Sequence, residues 1–264
     1  MQTTHKSWLL DPGEHVCWQV RSPQEYAAGE RQLIEHTAHS ADRLLIVGVP
    51  AQKTNGSGRV SVLYPAHEAY PDGQSGAVLQ AIHGRVDAAR REGHVLRVLA
   101  AMEHVAPPHV PLDELVGHEM ELAELAAQSG TSVVCAYRQQ MWEPNLLGDL
   151  AAVHSRVVGT QPRTAGFRLN RADAGGWTLD GSVGFESLRA FTAALRGALA
   201  RTPRVQLRCE MLDLIDASAL RALVETVGQS PGGSVVLDGV NETVLRAWRM
   251  SGYDATGAAV EVCA

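Results

Sequence analysis

From residue 15 to about residue 158 the chain alternates short β-rich runs with longer helical ones, and this rhythm restricts its possible folds more than any other feature. The β-rich runs are His15 to Val20, Arg43 to Val49, Arg59 to Tyr64, Val95 to Ala101, Ser132 to Tyr137 and Arg156 to Val158. Several are apolar on both faces. A strand keeps that composition when helices cover it on both sides, so the pattern predicts a layered α/β domain with a mostly parallel sheet. Between the first two runs, Ser22-Pro23 offers a capping side chain followed by proline at the first helical position, which predicts a helix to about Ala38. Further helices are expected at Ala77 to Arg91, Leu112 to Ala127 and Asn145 to Val153.

The stretch from Gly159 to Gly166 carries proline, glycine and threonine and no apolar periodicity, so a boundary is expected there. A chain of 264 residues has room for two cores. The expected division is a first domain over 1–160, a linker over 161–166 and a smaller β/α domain over 167–264. In the latter, strands are expected at Phe167 to Asn170, Trp177 to Leu179, Val205 to Cys209, Val235 to Leu237 and Ala259 to Cys263. Its first helix shows the stripe Phe185, Leu188, Phe191, Leu195 and Leu199; a second begins at Ser218 and a third covers Thr243 to Met250.

A formal net charge of −6 argues against a broad electrostatic grip on nucleic acid. No run reaches the roughly 20 apolar residues that cross a bilayer, and the first residues lack a signal-peptide core, so a cytoplasmic protein without a membrane partner is expected. Cys17, Cys135, Cys209 and Cys263 lie far apart and read as buried thiols, not as a disulfide framework or a zinc knuckle. No cofactor is expected.

The segment Ile215-Asp216-Ala217-Ser218-Ala219-Leu220 follows an apolar strand-like run and opens an amphipathic helix whose inward positions are Leu220, Leu223, Val224 and Val227, a strand-to-helix junction. Ser218 then lies at the helix N-terminus, where free amide groups and the helix dipole tolerate an added phosphate. A phosphoserine carries about −1.5 to −2 charges and, beside Asp216, would repel an acidic or apolar surface docked on that helix. The plainer reading of Asp-x-Ser is a helix cap.

Together with Val205 to Cys209, Val235-Val236-Leu237, Val244-Leu245 and Ser251-Gly252-Tyr253, this segment resembles the STAS family, the anti-sigma factor antagonist fold. The resemblance covers residues 166 to 264. It implies that Ser218 accepts a phosphate from an anti-sigma factor that is also a serine kinase, and that Asp216, Ala219 and Arg221 lie at the partner-binding surface. Arg208 stands where the family commonly has an acidic residue, and Ala219 where a glycine often follows the phosphoacceptor.

His15-Val16-Cys17-Trp18, Leu44 to Gly48, Arg97 to Met102, Val133 to Arg138 and Leu146 to His154 are similar to the MEDS family of methanogen and methylotroph sensory domains. That resemblance implies a RecA-like α/β core. Nucleotide hydrolysis needs a glycine-rich loop closing on lysine and serine or threonine. In the loop from Gly48 to Arg59, Lys53-Thr54 precedes the glycines, so an enzyme is not expected. Ligands of parallel sheets collect at the carboxyl ends of strands, which makes Trp18, Tyr64, His67, Met102, Glu103, Tyr137 and Arg138 candidates for a small-effector pocket, with core packing as the alternative. His15, Cys17 and Cys135 allow a metal or redox site to be drawn, with buried thiols and a hydrogen-bonded histidine as the commoner arrangement. Glu119, Glu121 and Glu124 read as a solvated acidic face.

The expected protein is a signalling regulator in which a sensory domain is coupled to an anti-sigma factor antagonist that switches partners. Two rivals remain open: a small-molecule or nucleotide-dependent signalling protein built on the first domain, and an oligomeric scaffold.

Overall fold

The computed structural model describes residues 10–48, 58–64, 76–106, 109–172, 175–255 and 257–264. They fall into two compact units. The first gathers the described residues up to 106 with Leu125–Trp142 and Val158–Thr160; the second gathers His109–Glu124, Glu143–Val157 and the residues from Gln161 on.

The first unit is organised by a sheet of β1 (His15–Val20), β2 (Arg43–Val47), β3 (Val60–Leu63), β4 (Leu96–Ala101), β5 (Ser132–Arg138) and β6 (Arg156–Gly159), in the order β3-β2-β4-β5-β1-β6. The pairings among β1 to β5 are all parallel. Every residue of β1 is buried, as are Ser132 to Tyr137 of β5, the polar His15, Gln19 and Ser132 among them, as expected for strands covered on both faces. Val16, Trp18, Leu44, Ile46, Leu99 and Val134 join Leu33 of α1 (Pro23–His39) in one core. α1 starts as expected, with Ser22 Oγ accepting the Glu25 N–H at 3.1 Å and proline at the first position. α2 (Gly76–Arg91) turns Val78, Leu79, Ile82 and Val86 inward. The expected strand from Arg43 ends at Val47, and Val49 lies outside the described residues.

In the second unit the helices are the N-terminal part of α3 (Leu112–Ser129), α4 (Pro144–Ala151), α5 (Leu188–Arg201), α6 (Ala217–Gly228) and α7 (Glu242–Ser251). Its mixed sheet contains β7 (Phe167–Arg171), β8 (Trp177–Val183), β9 (Arg204–Arg208), β10 (Leu212–Ile215), β11 (Ser234–Asp238) and β12 (Val260–Val262). The order is β10-β8-β9-β11-β12, with β7 antiparallel to β8. β10 is the strand-like run expected ahead of the α6 motif, and its pairing with β8 places that motif at a strand's carboxyl end. Gly181 makes the crowded passage of β8 possible: its φ is +85°, and a Cβ there would stand 2.5 Å from the Gly166 carbonyl oxygen. Asn241 pins the start of α7 to β10, accepting the Val244 N–H at 3.0 Å and donating to the Leu212 carbonyl at 2.7 Å.

Two sequence expectations change. Phe185 does not begin the α5 stripe. It sits in a single 3-10 turn, Phe185–Ser187, where it is 76% exposed. Its N–H is held by Asp216, and Gly184 donates its N–H to Ser187 Oγ at 3.1 Å, so the α-helix begins only at Leu188. Glu119 does not lie on a solvated face either. It falls on the inward stripe of α3 with Leu115, Val116 and Met120, and its carboxylate is 3.0 Å from His154 Nε2, both side chains being buried. Glu124 meets Arg201 at 3.4 Å and Arg171 at 3.8 Å.

Candidate functional site

Where β10 gives way to α6, the backbone leaves extended conformation at Asp216 (φ −83°, ψ 172°), which is the N-cap residue. Asp216 Oδ1 accepts the Ala219 N–H at 2.8 Å and the Ser218 hydroxyl at 2.5 Å, while Oδ2 accepts the Phe185 N–H at 2.9 Å. Partial burial alone would raise the carboxyl's pKa. The hydrogen bonds from the Ser218 hydroxyl and from the Ala219, Phe185 and Ser218 amides outweigh it and hold Asp216 below the usual carboxylate range. The capping and display readings of the motif thus coexist: Asp216 caps the helix, and Ser218, its second residue, is left half-buried with its hydroxyl oriented by that carboxylate.

Of the residues expected at the partner surface, Arg221 is exposed and lies 3.7 Å from Glu225 one turn on. Ala219 is fully buried, a correction to its expected place at the docking face. It belongs to the inward stripe with Leu220, Leu223 and Val227, and it contributes through its amide. Arg208 ends β9 in register with Asp238 of β11.

Ser218 also lines a cleft of about 430 Å³ that the sequence reading did not anticipate. Arg189 and Arg196 of α5, Arg221 and Glu225 of α6, and Asp113 of α3 share its walls. Arg189 and Arg196 are seven residues apart and so fall on one helix face, a spacing legible in the sequence once α5 is placed. Exposed apolar side chains also occur near the motif: Phe185, tied to Asp216 through its amide, and Leu214, two residues before it on β10.

In the first unit the candidate effector residues separate. Glu103 and Arg138, at the carboxyl ends of β4 and β5, form an ion pair, with the Glu103 side chain only 4% exposed. Trp18 stacks on Tyr26 of α1 with ring centroids 5.6 Å apart. The Tyr26 phenol is held above its ordinary pKa by burial and by the charges of Glu30 and Glu103, with Arg138 opposing. Tyr26 Oη, Glu103 Oε2 and Arg138 Nε are buried without a hydrogen bond to the described protein. Tyr26, which the sequence reading missed, therefore belongs with Glu103 and Arg138, electrostatically and by the strand end they share. Tyr137 packs edge-on against Trp142 at 5.0 Å and Met102 is buried, the packing alternative in both cases. Tyr64 stands exposed after β3. His67 and residues 49–57 of the loop after Gly48 lie outside the described residues.

His15 Nε2 lies 3.3 Å from Cys135 Sγ, so these two donor atoms of the first unit could share an ion, whereas Cys17 Sγ faces the Gln19 amide at 3.9 Å. Cys17, Cys135 and Cys209 are buried, and burial, with the charge of Glu210, pushes the Cys209 thiol up to about 12. Cys263 is only half-buried, a departure from the expected buried thiol.

A family model described as MEDS, methanogen/methylotroph, DcmR sensory domain, matches residues 14–155, and another described as Mlab, STAS domain, matches residues 170–261. No curated protein matches the chain.

Proposed function

We propose that this chain, which belongs to the MEDS family of sensory domains and continues into a STAS domain, is an anti-sigma factor antagonist whose partner is released when Ser218 gains a phosphate. The observation that carries this reading is the placement of Ser218: half-buried, in the first turn of α6, with its hydroxyl aimed by Asp216 and exposed Phe185 beside it. The apolar ring offers a partner contact area, and a phosphate set next to it replaces that contact with charge that must stay hydrated. In the modification, an anti-sigma factor with serine kinase activity moves the γ-phosphoryl group of ATP to Ser218 Oγ. The new O–P bond forms as the bond to ADP breaks, and the hydroxyl proton leaves to the kinase or to water. The chain itself performs no catalysis in this scheme.

The first unit supplies the sensing. Tyr26, Glu103 and Arg138 offer a buried hydroxyl, a carboxylate oxygen and a guanidinium N–H at the carboxyl ends of parallel strands, where such sheets hold ligands, and this supports a small polar effector. Among the described residues no helix is long and apolar enough to cross a membrane, which fits action in the cytoplasm.

Intact-mass measurement of the chain purified from its own host tests the reading first, through phosphate on Ser218 and any retained small molecule. Binding of the host's anti-sigma-type kinases to wild-type chain and to Ser218→Glu then tests the switch. At least a tenfold weaker complex is expected for Ser218→Glu, and equal affinity for both proteins defeats partner switching.

A further inference from the structure

We infer that the cleft beside Ser218 is an intramolecular receptor for a phosphomonoester, the one Ser218 carries once modified, and that Arg196 exchanges Asp113 for it. This rests on the reading of Ser218 as a phosphoacceptor and adds what the protein itself does with the phosphate.

Three guanidiniums and two carboxylates line the cleft together with the Ser218 side chain. Each guanidinium already has a carboxylate partner, and the partners differ in how firmly they hold. Arg196 donates to Asp113 at 3.2 Å, with both side chains about half exposed. Arg221 lies 3.7 Å from Glu225 with both groups in solvent. Arg189 pairs with Asp149, whose side chain is largely buried. Solvent-exposed ion pairs are held weakly, and a phosphate dianion offers more charge and three acceptor oxygens to the planar guanidinium fork. A phosphate on Ser218 therefore draws Arg196 and Arg221 before Arg189.

The exchange has a structural consequence. Asp113 sits in the first turn of α3, within the residues matched by the sensory family model, whereas Arg196 and Ser218 lie within those matched by the STAS model. Moving Arg196 to the phosphate unties that first turn from α5. Modification of one hydroxyl then alters both the surface shown to a partner and the tether between the two family regions.

The test uses the full chain with phosphoserine incorporated at position 218 during translation, so it does not depend on a kinase. Phosphorus NMR follows the second ionisation of the phosphate, ordinarily near about 6. Guanidinium contact favours the dianion, so the midpoint is expected about one pH unit below that of the same phosphoserine in a short unfolded peptide. Arg196→Gln is expected to restore part of that difference, Arg196→Lys less, and Asp113→Asn to widen it. Circular dichroism confirms folding of each variant, and all these side chains are exposed enough to be replaced without disturbing the core. A midpoint equal to the peptide's overturns the assignment, and so does a shift that survives both Arg196→Gln and Arg221→Gln, because the helix terminus alone would then account for it. Partner release is read separately. A kinase that stays bound to the phosphorylated chain removes the switch and leaves the cleft assignment intact.

Discussion

The two units use the same local device, a strand handing over at its carboxyl end, to opposite effect. In the first, the handovers of β4 and β5 tie a charged pair together: Glu103 is enclosed, Arg138 is held against it, and both charges act on the buried Tyr26 phenol of α1. In the second, the handover of β10 displays its polar residues, with Asp216 spending its carboxylate on local amides so that Ser218 stays near the surface. The difference comes from the flanking chain. β4 and β5 lie inside a sheet with neighbours on both sides, whereas β10 is an edge strand with β8 on one side. Interior strand ends suit enclosure of a small molecule, and an edge suits a visiting protein.

The sharpest way to break this comparison is to separate packing from display within the β10–α6 region. Leu223 is fully buried on the inner stripe of α6, and Leu223→Ala is expected to cost about 2–5 kcal/mol of stability through lost burial and the cavity left behind. Phe185→Ala removes a larger side chain at a site 76% exposed, and is expected to change stability by no more than about 0.5 kcal/mol while weakening partner binding. Urea unfolding of both variants, followed by circular dichroism, checks the contrast. Comparable losses would place Phe185 in the core and remove the display surface.

Next in size is the enclosed pair. Glu103→Gln keeps the shape and removes the negative charge facing Arg138, whose own side chain is 39% exposed and can turn towards water. A loss of about 1–3 kcal/mol is expected, read from the transition that reports on the first unit. No measurable loss would mean that the pair is not enclosed, and the contrast with the β10 end would fall.

Much of this architecture is legible in the sequence because it is local. The both-face apolar runs of β2 and β5, the Ser22-Pro23 start of α1 and the Asp216 cap of α6 each need only a few neighbouring residues to be recognised. What escapes are features set by distant partners. The apolar periodicity of α5 extends on paper to Phe185, but a carboxylate 31 residues away captures its amide and turns the ring outward. Glu119 reads as one of three solvated acids until His154 supplies a buried partner. The arginine cleft depends on the crossing of α5 and α6 (with the first turn of α3), so neither helix pattern reveals it alone. Tyr26 was hidden for the same reason: its relation to Glu103 and Arg138 runs through the sheet and not along the chain.

The smallest expected effect concerns the charge of the displayed cap. Asp216→Ala deletes the acceptor for the Ala219 amide and the Ser218 hydroxyl, and near neutral pH a loss of about 1 kcal/mol is expected. Because hydrogen bonds hold the folded carboxyl below its ordinary value, the stability Asp216 contributes is fully present above its unfolded pKa of about 3.9 and is lost as pH falls through the lower, folded pKa. The gap between wild type and Asp216→Ala should therefore stay constant from pH 7 to about pH 5 and shrink below about pH 4. Ser218→Ala removes one of the hydrogen bonds that favour the ionised form, so in that background the gap should shrink by less and stop shrinking at a higher pH. Denaturation midpoints across this range check both statements. A gap that persists unchanged at about pH 3 would show that the cap works through its shape, and the carboxylate's charge would then have no part in orienting the Ser218 hydroxyl.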